Sequence, residues 1–268
     1  MTLTKLATRI VDKPWGRVGI DPRFNADPNE QIGEIWFEAP AARPLDVMAK
    51  YLFTTERLSI QVHPDDATAQ ARGQRSGKTE CWIVLEAGDD AELGIGTRRA
   101  VDADALIAAA KDGSIVKLID WRKPRVGNFI YNPAGTIHAL GPGLTVLEVQ
   151  QAVDLTYRLY DYGRPRELHL DEARDVVKAA PHHHPLDGTI DFAATRVLAD
   201  EGKFGVAWCH RTAPAIGPKP ELQLIPIDAP MTVDGTTLNP GECALYDGDP
   251  AALTSEGAFV LAWSREPR

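Results

Sequence analysis

Cysteine is scarce in this chain of 268 residues, and its placement excludes two kinds of site. Cys81, Cys209 and Cys243 are far apart, odd in number and in no Cys-x-x-Cys pair. A disulfide framework or a thiolate zinc site needs regularly spaced pairs of cysteines. We therefore expect reduced, partly buried thiols in a cytosolic protein.

Long apolar runs and positively charged runs are also missing. No stretch approaches the ~20 apolar residues that cross a bilayer, and residues 1–9 lack the hydrophobic segment of a signal peptide. The formal net charge of −9, without any run of Lys and Arg, argues against a nucleic-acid partner. We therefore predict a cytoplasmic protein with no membrane and no nucleic-acid partner. A phosphorylated ligand would have to be held by a few local cations.

Turn-forming residues, in contrast, are plentiful. The 20 prolines and 22 glycines separate short apolar runs between residues 10 and 62 and again from 191 to the end. Many short strands with tight turns are typical of barrels and jelly rolls. The sequence predicts an all-β dominated fold, with two jelly-roll barrels and a few short helices. The helices are expected over Asp65–Ala71, Asp102–Ala110 and Asp171–Ala180, with Asp102 and Asp171 as N-caps.

Most of the chemistry lies in three polar stretches that favour strands. They are Ser59-Ile60-Gln61-Val62-His63-Pro64, Gly77-Lys78-Thr79-Glu80 and Pro133-Ala134-Gly135-Thr136-Ile137-His138. Alternate side chains of a strand share a face, so residues 61 and 63 point the same way, as do residues 78 and 80. If neighbouring barrel strands turn these faces inward, Gln61, His63, Glu80 and His138 converge. Two imidazoles, a carboxylate and an amide oxygen suit Zn²⁺ or another divalent ion.

Ordinary structural roles are open to each of these residues. Glu80 would also fit an ion pair with Lys78 or an Arg at a strand edge, and each histidine would fit a hydrogen-bonded core position. A set of two histidines and one carboxylate also suits non-haem Fe(II) oxygenases. Gln61 as a fourth ligand fills a position that such enzymes keep open, which favours a metal that acts as a Lewis acid.

The order of the motifs resembles one known family. The spacing of Gly127, Pro133, Gly135 and His138 looks like the second histidine motif of the cupin superfamily, and Gln61-Val62-His63 looks like the first motif with Gln in place of one His. From about Pro14 to Ala180 the chain resembles the type I mannose-6-phosphate isomerases, which are cupins. The matching pieces are Gly33-Glu34-Ile35-Trp36, Leu58-Ser59-Ile60-Gln61-Val62-His63-Pro64, Gly77-Lys78-Thr79-Glu80-Cys81-Trp82, Gly135-Thr136-Ile137-His138-Ala139 and Glu148 through Arg158.

The resemblance implies a function and a set of roles. It implies interconversion of mannose 6-phosphate and fructose 6-phosphate through an enediol, with one divalent metal ion, zinc, per chain. Arg158, Glu148, Lys78 and Asp154 are then the expected catalytic residues, and Ser59, Lys78 and Arg158 the expected substrate contacts. Glu148 is the first candidate for proton transfer, while an ion pair between Glu148 and Arg158 stays open. Asp154 is open between orienting Arg158 and assisting ring opening.

Two departures from the family pattern leave questions open. Family members often have His before the lysine, where this chain has Gly77. The chain is also too compact for the large helical insertion of longer members, so the phosphate-binding groups are undetermined.

The predicted organisation has three parts. Residues 1–180 form a metal-bearing catalytic cupin domain, residues 181–190 a solvated Pro/His linker, and residues 191–268 a second, metal-free cupin-like domain. The alternatives to the enzyme are a sugar-binding or regulatory cupin without turnover and an isomerase of a free sugar such as mannose. The intact set of Glu148, Lys78 and Arg158 favours the enzyme, because a pure binder needs no base. The chain is expected to be a monomer or a homodimer.

Overall fold

The computed structural model describes residues 3–41 and 43–265, and strands dominate this part of the chain. The strands are β1 (Leu3–Lys5), β2 (Ala7–Val18), β3 (Gln31–Glu38), β4 (Val47–Phe53), β5 (Ile60–Val62), β6 (Glu80–Ala87), β7 (Leu93–Thr97), β8 (Ile119–Arg122), β9 (Asn128–Asn132), β10 (His138–Leu140), β11 (Leu144–Gln151), β12 (Tyr157–Tyr160), β13 (Gly188–Thr189), β14 (Arg196–Glu201), β15 (Phe204–Thr212), β16 (Leu222–Pro226), β17 (Met231–Val233), β18 (Thr236–Leu238), β19 (Ala244–Tyr246) and β20 (Thr254–Ser264). The helices are α1 (Asp66–Ala71), α2 (Ala103–Asp112) and α3 (Leu170–Val176), with single 3-10 turns at Pro22–Phe24, Ser114–Lys117 and Pro250–Ala252. The predicted all-β dominated class with a few short helices is confirmed.

The strands form antiparallel sheets stacked in layers. A five-stranded sheet (β12-β5-β10-β7-β8) faces a seven-stranded sheet (β13-β9-β6-β11-β4-β3-β2). The other face of the seven-stranded sheet packs on a six-stranded sheet (β1-β19-β16-β20-β15-β14), and β17 and β18 form a separate hairpin. The first described strand, β1, thus pairs with β19 near the other end of the chain. The predicted division at residues 180 and 190 stays a prediction.

Period-two alternation sends the side chains of the seven-stranded sheet into two different environments. In β11, Val146 packs with the apolar residues between the five- and seven-stranded sheets. Its neighbours Leu147 and Val149 pack instead against the six-stranded sheet, beside Phe204 and Val260. Successive strand residues point to opposite faces, so Glu148 shares the inner side of Val146. The sheet therefore separates a polar site from a mainly apolar core, in which Gln223 donates to the carbonyl of Val47 at 2.8 Å.

Two of the three predicted helices match closely. α1 begins after Asp65, whose carboxylate accepts from the backbone N–H of Thr68, and α2 lies between the N-cap Asp102 and the C-cap Gly113. The third prediction was wrong in its bounds, because α3 begins at Leu170 after an N-cap His169 and ends at Val176. The chain leaves the helix there because Lys178 donates its backbone N–H to the carbonyl of Gly135 instead.

The segment predicted as a solvated linker, residues 181–190, is packed in part. His182 is buried, and its Nε2 lies 3.0 Å from Asp187. The ring of His184 stacks on Tyr131 with centroids 4.6 Å apart. The linker also contains β13, which pairs with β9. Within the described residues, no helix has the length and apolar character needed to cross a membrane.

Candidate metal centre

His63, Glu80 and His138 meet between the five- and seven-stranded sheets. His63 follows β5, His138 begins β10 beside it, and Glu80 begins β6 on the facing sheet. Each side chain is about as buried as a core leucine, and their ligand atoms lie within 4.8 Å of one another. Three remote stretches of sequence thus converge on one buried point.

The two imidazoles are oriented by backbone carbonyls. The Nδ1–H of His63 donates to the carbonyl of Leu155 at 2.8 Å, and the Nδ1–H of His138 donates to that of Thr136 at 2.9 Å. A carbonyl only accepts, so the proton lies on Nδ1 and each Nε2 presents a lone pair. These Nε2 atoms lie 3.4 Å and 3.1 Å from the Glu80 carboxylate. Metal-binding histidines are typically held in this way.

Burial and neighbouring charges favour the protonation states that a metal requires. Burial, together with the charge of Lys78, lowers the pKa of His63 to about 3, and burial also lowers the pKa of His138. Burial acts to raise the pKa of Glu80, but the charges of Lys78 and the two histidines outweigh it, so the pKa is lowered. Neutral imidazoles and an ionised carboxylate are the forms that bind metal ions.

One oxygen of the Glu80 carboxylate is held by a hydrogen bond, and the other faces a positive charge. Asn132 donates from Nδ2 to Glu80 Oε1 at 2.7 Å, which leaves Oε2 without a well-directed hydrogen bond. Lys78 Nζ lies 2.6 Å from Oε2 and 3.2 Å from His63 Nε2. The donors therefore fit a divalent cation in nature and orientation.

Gln61, the predicted fourth ligand, reaches the group with its amide nitrogen. Its Nε2 lies 3.2 Å from His138 Nε2, and the Ser59 hydroxyl donates to its Oε1 at 3.1 Å. An amide nitrogen does not bind metals, so ligation requires half a turn of the amide. Ser59 would then accept where it now donates, because a hydroxyl does both. Gln61 stays a predicted ligand.

Glu148 is held by partners other than the one left open by the sequence. Its carboxylate accepts from Trp82 Nε1 at 2.8 Å and lies 3.2 Å from Lys50 Nζ and 3.5 Å from Lys78 Nζ. It makes no ion pair with Arg158 in the described structure. Lys78 therefore lies between the Glu148 carboxylate and Glu80 of the metal group and contacts both.

Sequence reasoning missed Lys50 and gave no role to Glu34. Both are buried, and Lys50 Nζ lies 3.1 Å from Glu34 as well as 3.2 Å from Glu148. Burial acts to lower the pKa of Lys50, but the charges of Glu148 and Glu34 outweigh it and raise the pKa. A signal was available, because Lys50 interrupts the otherwise apolar strand Val47–Phe53.

A bulge in β2 brings a further cation, the ammonium group of Lys13, close to Glu34. Pairing with β3 jumps from Asp12 to Arg17, so residues 13–16 form a bulge in which Trp15 and Gly16 are buried. A Cβ on Gly33 would lie 2.4 Å from the Cβ of Lys13, so only glycine allows this approach. Lys13 Nζ then lies 3.7 Å from Glu34.

A cavity of about 440 Å³ opens onto this group and collects the remaining predicted residues. Ser59, Lys78, Glu148, Asp154 and Arg158 all line it. Arg158 lies on β12 opposite Gln61 on β5, and its Nε donates to the carbonyl of Glu167 at 3.0 Å. The catalytic and substrate-binding roles of these residues stay predictions.

Comparisons with known proteins agree with this architecture. No family model matches the chain. The Putative mannose-6-phosphate isomerase YvyI of Bacillus subtilis is 34% identical over 222 residues, which cover 67% of this chain and 68% of that protein. This chain belongs to the mannose-6-phosphate isomerase family. The Probable mannose-6-phosphate isomerase GmuF of Bacillus subtilis is 39% identical over 164 residues, 56% of this chain and 51% of its own. The chain thus spans about half the length of several curated relatives it matches.

Solved structures of the family share the whole fold. The mannose 6-phosphate isomerase from Bacillus subtilis superposes with a TM-score of 0.76 at 25% identity, over 98% of this chain and 99% of that one. A zinc-bound mannose 6-phosphate isomerase gives a TM-score of 0.71 at 17% identity, over 99% and 100% of the two chains.

Gly77, the departure from the family pattern, is fixed by packing. A Cβ there would lie 2.4 Å from the backbone carbon of Asp65 and 2.5 Å from the carbonyl oxygen of Pro64. The Gly77 N–H also donates to Asp66 Oδ1 at 2.8 Å. This mannose-6-phosphate isomerase family member therefore has no room for a side chain immediately before Lys78.

Proposed function

We propose that this protein is a metal-dependent aldose–ketose isomerase that interconverts mannose 6-phosphate and fructose 6-phosphate. One observation carries the proposal: a buried His–Glu–His group lies beside a cavity that its member His138 lines together with Lys50, Lys78 and Glu148. Membership of the family and the names of the relatives support it. A sugar-binding cupin without turnover would have no use for a carboxylate held between two buried ammonium groups.

The metal that we propose is one zinc ion per chain, held by His63, Glu80 and His138 with Gln61 as a fourth ligand. Mixed nitrogen and oxygen donors suit Zn²⁺, and the zinc-bound structure with the same fold supports this choice. When bound, such an ion supplies Lewis-acid polarisation of the sugar carbonyl. Asn132 keeps the Glu80 carboxylate in place for it.

The protein groups would then move one proton and hold the developing charge. We assign proton transfer between C1 and C2 of the sugar to Glu148, whose carboxylate is oriented by Trp82 and Lys50. Lys78, between Glu80 and Glu148, would stabilise negative charge on the enediol oxygens and is the next candidate for the base. Ser59 and Arg158 would contact the substrate. Asp154 would orient Arg158 or assist ring opening.

A coupled assay tests the proposal. Mannose 6-phosphate and free mannose are each supplied to the purified protein, before and after treatment with a chelator, and after return of Zn²⁺. We expect turnover of mannose 6-phosphate that the chelator abolishes and zinc restores. Turnover of free mannose in preference to the phosphate would favour the free-sugar alternative. Binding of the sugar phosphate without turnover in the zinc-loaded protein would contradict the enzyme.

We further propose that the protein acts in the cytoplasm on a small sugar phosphate, as a monomer or homodimer and without a nucleic-acid or membrane partner. The acidic net charge of −9 supports the absence of a nucleic-acid partner. Sedimentation analysis of the zinc-loaded protein would decide between the two oligomeric states.

A further inference from the structure

The segment that brings Lys78 into the site belongs to no strand. Residues 77–79 are irregular, and β6 begins only at Glu80. Each backbone N–H of this segment nevertheless has an acceptor outside it. These hydrogen bonds are Gly77 to Asp66 Oδ1 at 2.8 Å, Lys78 to the carbonyl of Pro64 at 3.0 Å and Thr79 to Gln151 Oε1 at 2.9 Å. The position of Lys78 therefore depends on the side chains of Asp66 and Gln151.

Asp66 and Gln151 are themselves joined by a hydrogen bond. Gln151, buried at the end of β11, donates from Nε2 to Asp66 Oδ1 at 2.9 Å. Asp66 begins α1, so one of its oxygens links this helix to β11 and to the Gly77 N–H. The two side chains thus hold the peptide groups on both sides of Lys78, whose Nζ lies 2.6 Å from Glu80.

The other oxygen of Asp66 is held by a residue of the six-stranded sheet. Lys203 lies in the tight turn between β14 and β15, and its Nζ is 2.5 Å from Asp66 Oδ2. The turn packs closely on β9, because Gly202 has a φ of 60° and a Cβ there would lie 2.8 Å from the Tyr131 hydroxyl. The side chains of Lys203 and Asp66 are 35% and 25% exposed, so solvent screens their attraction only in part.

These contacts keep Asp66 charged. Burial acts to raise the pKa of Asp66, but the hydrogen bonds that it accepts, first among them that of Lys203, outweigh burial and lower the pKa. An ionised carboxylate is a stronger acceptor than a neutral amide, so it holds the N–H of Gly77 more firmly.

On the basis of the proposed function, we infer that Asp66, Gln151 and Lys203 are positioning residues for Lys78 and Glu80. None of the three lines the cavity beside the metal group, so they act through the backbone of the segment and not on the substrate. The six-stranded sheet thus takes part in the reaction through Lys203, although the buried His–Glu–His group comes from the other two sheets.

Four variants separate the contacts. Asp66→Ala removes all of them, whereas Asp66→Asn keeps an oxygen for the N–H donors and loses the charge that faces Lys203. Lys203→Met removes the same ion pair from the other side, and Lys203→Arg restores its charge. The matched control is Asp65→Ala, because Asp65 caps the same helix through the Thr68 N–H and has no side-chain bond to residues 77–79 in the described structure.

Three measurements are made on each variant: the hydrogen-exchange rates of the Gly77 and Thr79 amides, the zinc Kd by competition with a chelator, and kcat and KM for mannose 6-phosphate. In Asp66→Ala we expect both amides to exchange about 2- to 10-fold faster, which is the net effect of one hydrogen bond. The zinc Kd should rise and kcat should fall, each by about 10-fold, at the lower end of the effect of losing an outer hydrogen-bond partner. KM should change less than kcat.

The ion-pair variants should have smaller effects. Asp66→Asn and Lys203→Met should each lower kcat by about 2- to 5-fold, as a partly exposed ion pair predicts. The double variant should lose no more than either single one, because both changes remove the same contact. Lys203→Arg should recover most of kcat. Asp65→Ala should reduce stability, as loss of a helix cap does, and leave amide exchange, zinc Kd and kcat near their unmodified values.

The outcomes separate this inference from the proposed function. Equal amide exchange, zinc Kd and kcat in Asp66→Ala and Asp65→Ala would overturn the inference, because weakening of the helix would then explain them. If the unmodified zinc-loaded protein does not isomerise mannose 6-phosphate, the proposed function fails, and amide exchange and zinc Kd still decide on positioning. If Asp66→Ala does not fold, Asp66→Asn and Lys203→Met decide. The inference is then wrong if both match Lys5→Met, which removes an ion pair of similar exposure from the same sheet.

Discussion

The cavity beside the metal group and the core on the outer face of the six-stranded sheet are both built from antiparallel strands. The first buries charged side chains, and the second buries apolar ones. Around the cavity, inward positions of β4, β6 and β11 hold Lys50, Glu80 and Glu148. On the outer face of the six-stranded sheet, corresponding positions are filled by apolar side chains with no exposed area. They include Leu222, Leu224, Phe259, Leu261 and Trp263.

The difference separates stability from function. Burial of one large apolar side chain contributes about 1.5–3 kcal/mol, so the C-terminal core stabilises the fold directly. Buried charges are costly unless they are paired, and the cavity meets this condition with an alternating row of ions. The row runs Lys13, Glu34, Lys50, Glu148, Lys78 and Glu80. Both regions are built from antiparallel strands, so the side chains on the buried face of each sheet decide which region can carry out chemistry.

The largest effect is expected from removal of a metal ligand. His63→Ala should lower zinc affinity and activity. The decrease should exceed the roughly 10- to 100-fold that follows loss of a hydrogen-bond partner of a metal ligand. The fold should persist, because the surrounding cores do not depend on the ion. Metal analysis, activity and circular dichroism are measured together. His210→Ala, in the C-terminal half, is the control, and full metal occupancy in His63→Ala would contradict the assignment.

Glu148→Gln should come next. The change keeps the size of the side chain and removes the base, so kcat should fall about 10²- to 10⁴-fold while zinc content and substrate binding persist. The readout is exchange of the substrate's C2 hydrogen with solvent, together with kcat. Glu38→Gln is a suitable control, because Glu38 forms an exposed ion pair with Arg9. Exchange near the unmodified rate in Glu148→Gln would move the role to Lys78.

Lys50→Met should break the row of charges and reduce stability. It leaves Glu34 and Glu148 without their shared cation, and loss of one partner of a buried pair costs about 3–5 kcal/mol of unfolding free energy. Urea unfolding measures this, with Lys5→Met, which removes an exposed ion pair with Glu242, as control. Leu224→Ala in the apolar core should cost about 2–5 kcal/mol and leave kcat unchanged. A stability of Lys50→Met equal to that of Lys5→Met would show that the row is not structural.

The smallest effect, measured per pH unit, is the pH dependence of the stability of the metal-free protein. His63 has a pKa lowered to about 3 and the pKa of His138 is also lowered, so between pH 6.5 and 3 the unfolded chain binds more protons than the folded one. The stability that the neutral histidines contribute is therefore fully present above pH 6.5. It falls as the pH decreases, by up to about 1.4 kcal/mol of unfolding free energy per pH unit for each histidine. Urea unfolding of chelator-treated protein measures the slope, which His63→Gln should reduce. A flat profile over this range would contradict the burial argument.

Much of the site could be predicted because strand periodicity is local. The spacing within residues 59–63 and 77–80 placed alternate side chains on one face, and the structure brings His63, Glu80 and His138 together. Turn residues likewise marked α1 and α2 correctly. The end of α3 could not be predicted, because pairing of Lys178 with residues near Gly135 is a contact between remote segments.

The sequence by itself determined the strand-rich class, the resemblance to the family and the inward positions of His63, Glu80 and His138, since each depends on short-range pattern. Tertiary structure alone decided which charges pair. Glu148 contacts Lys50 and Lys78 instead of Arg158, and Glu34 becomes a partner of Lys50, because strand order sets β3, β4 and β11 side by side. Two charges pair only when they lie close together in space, and the tertiary fold sets that distance.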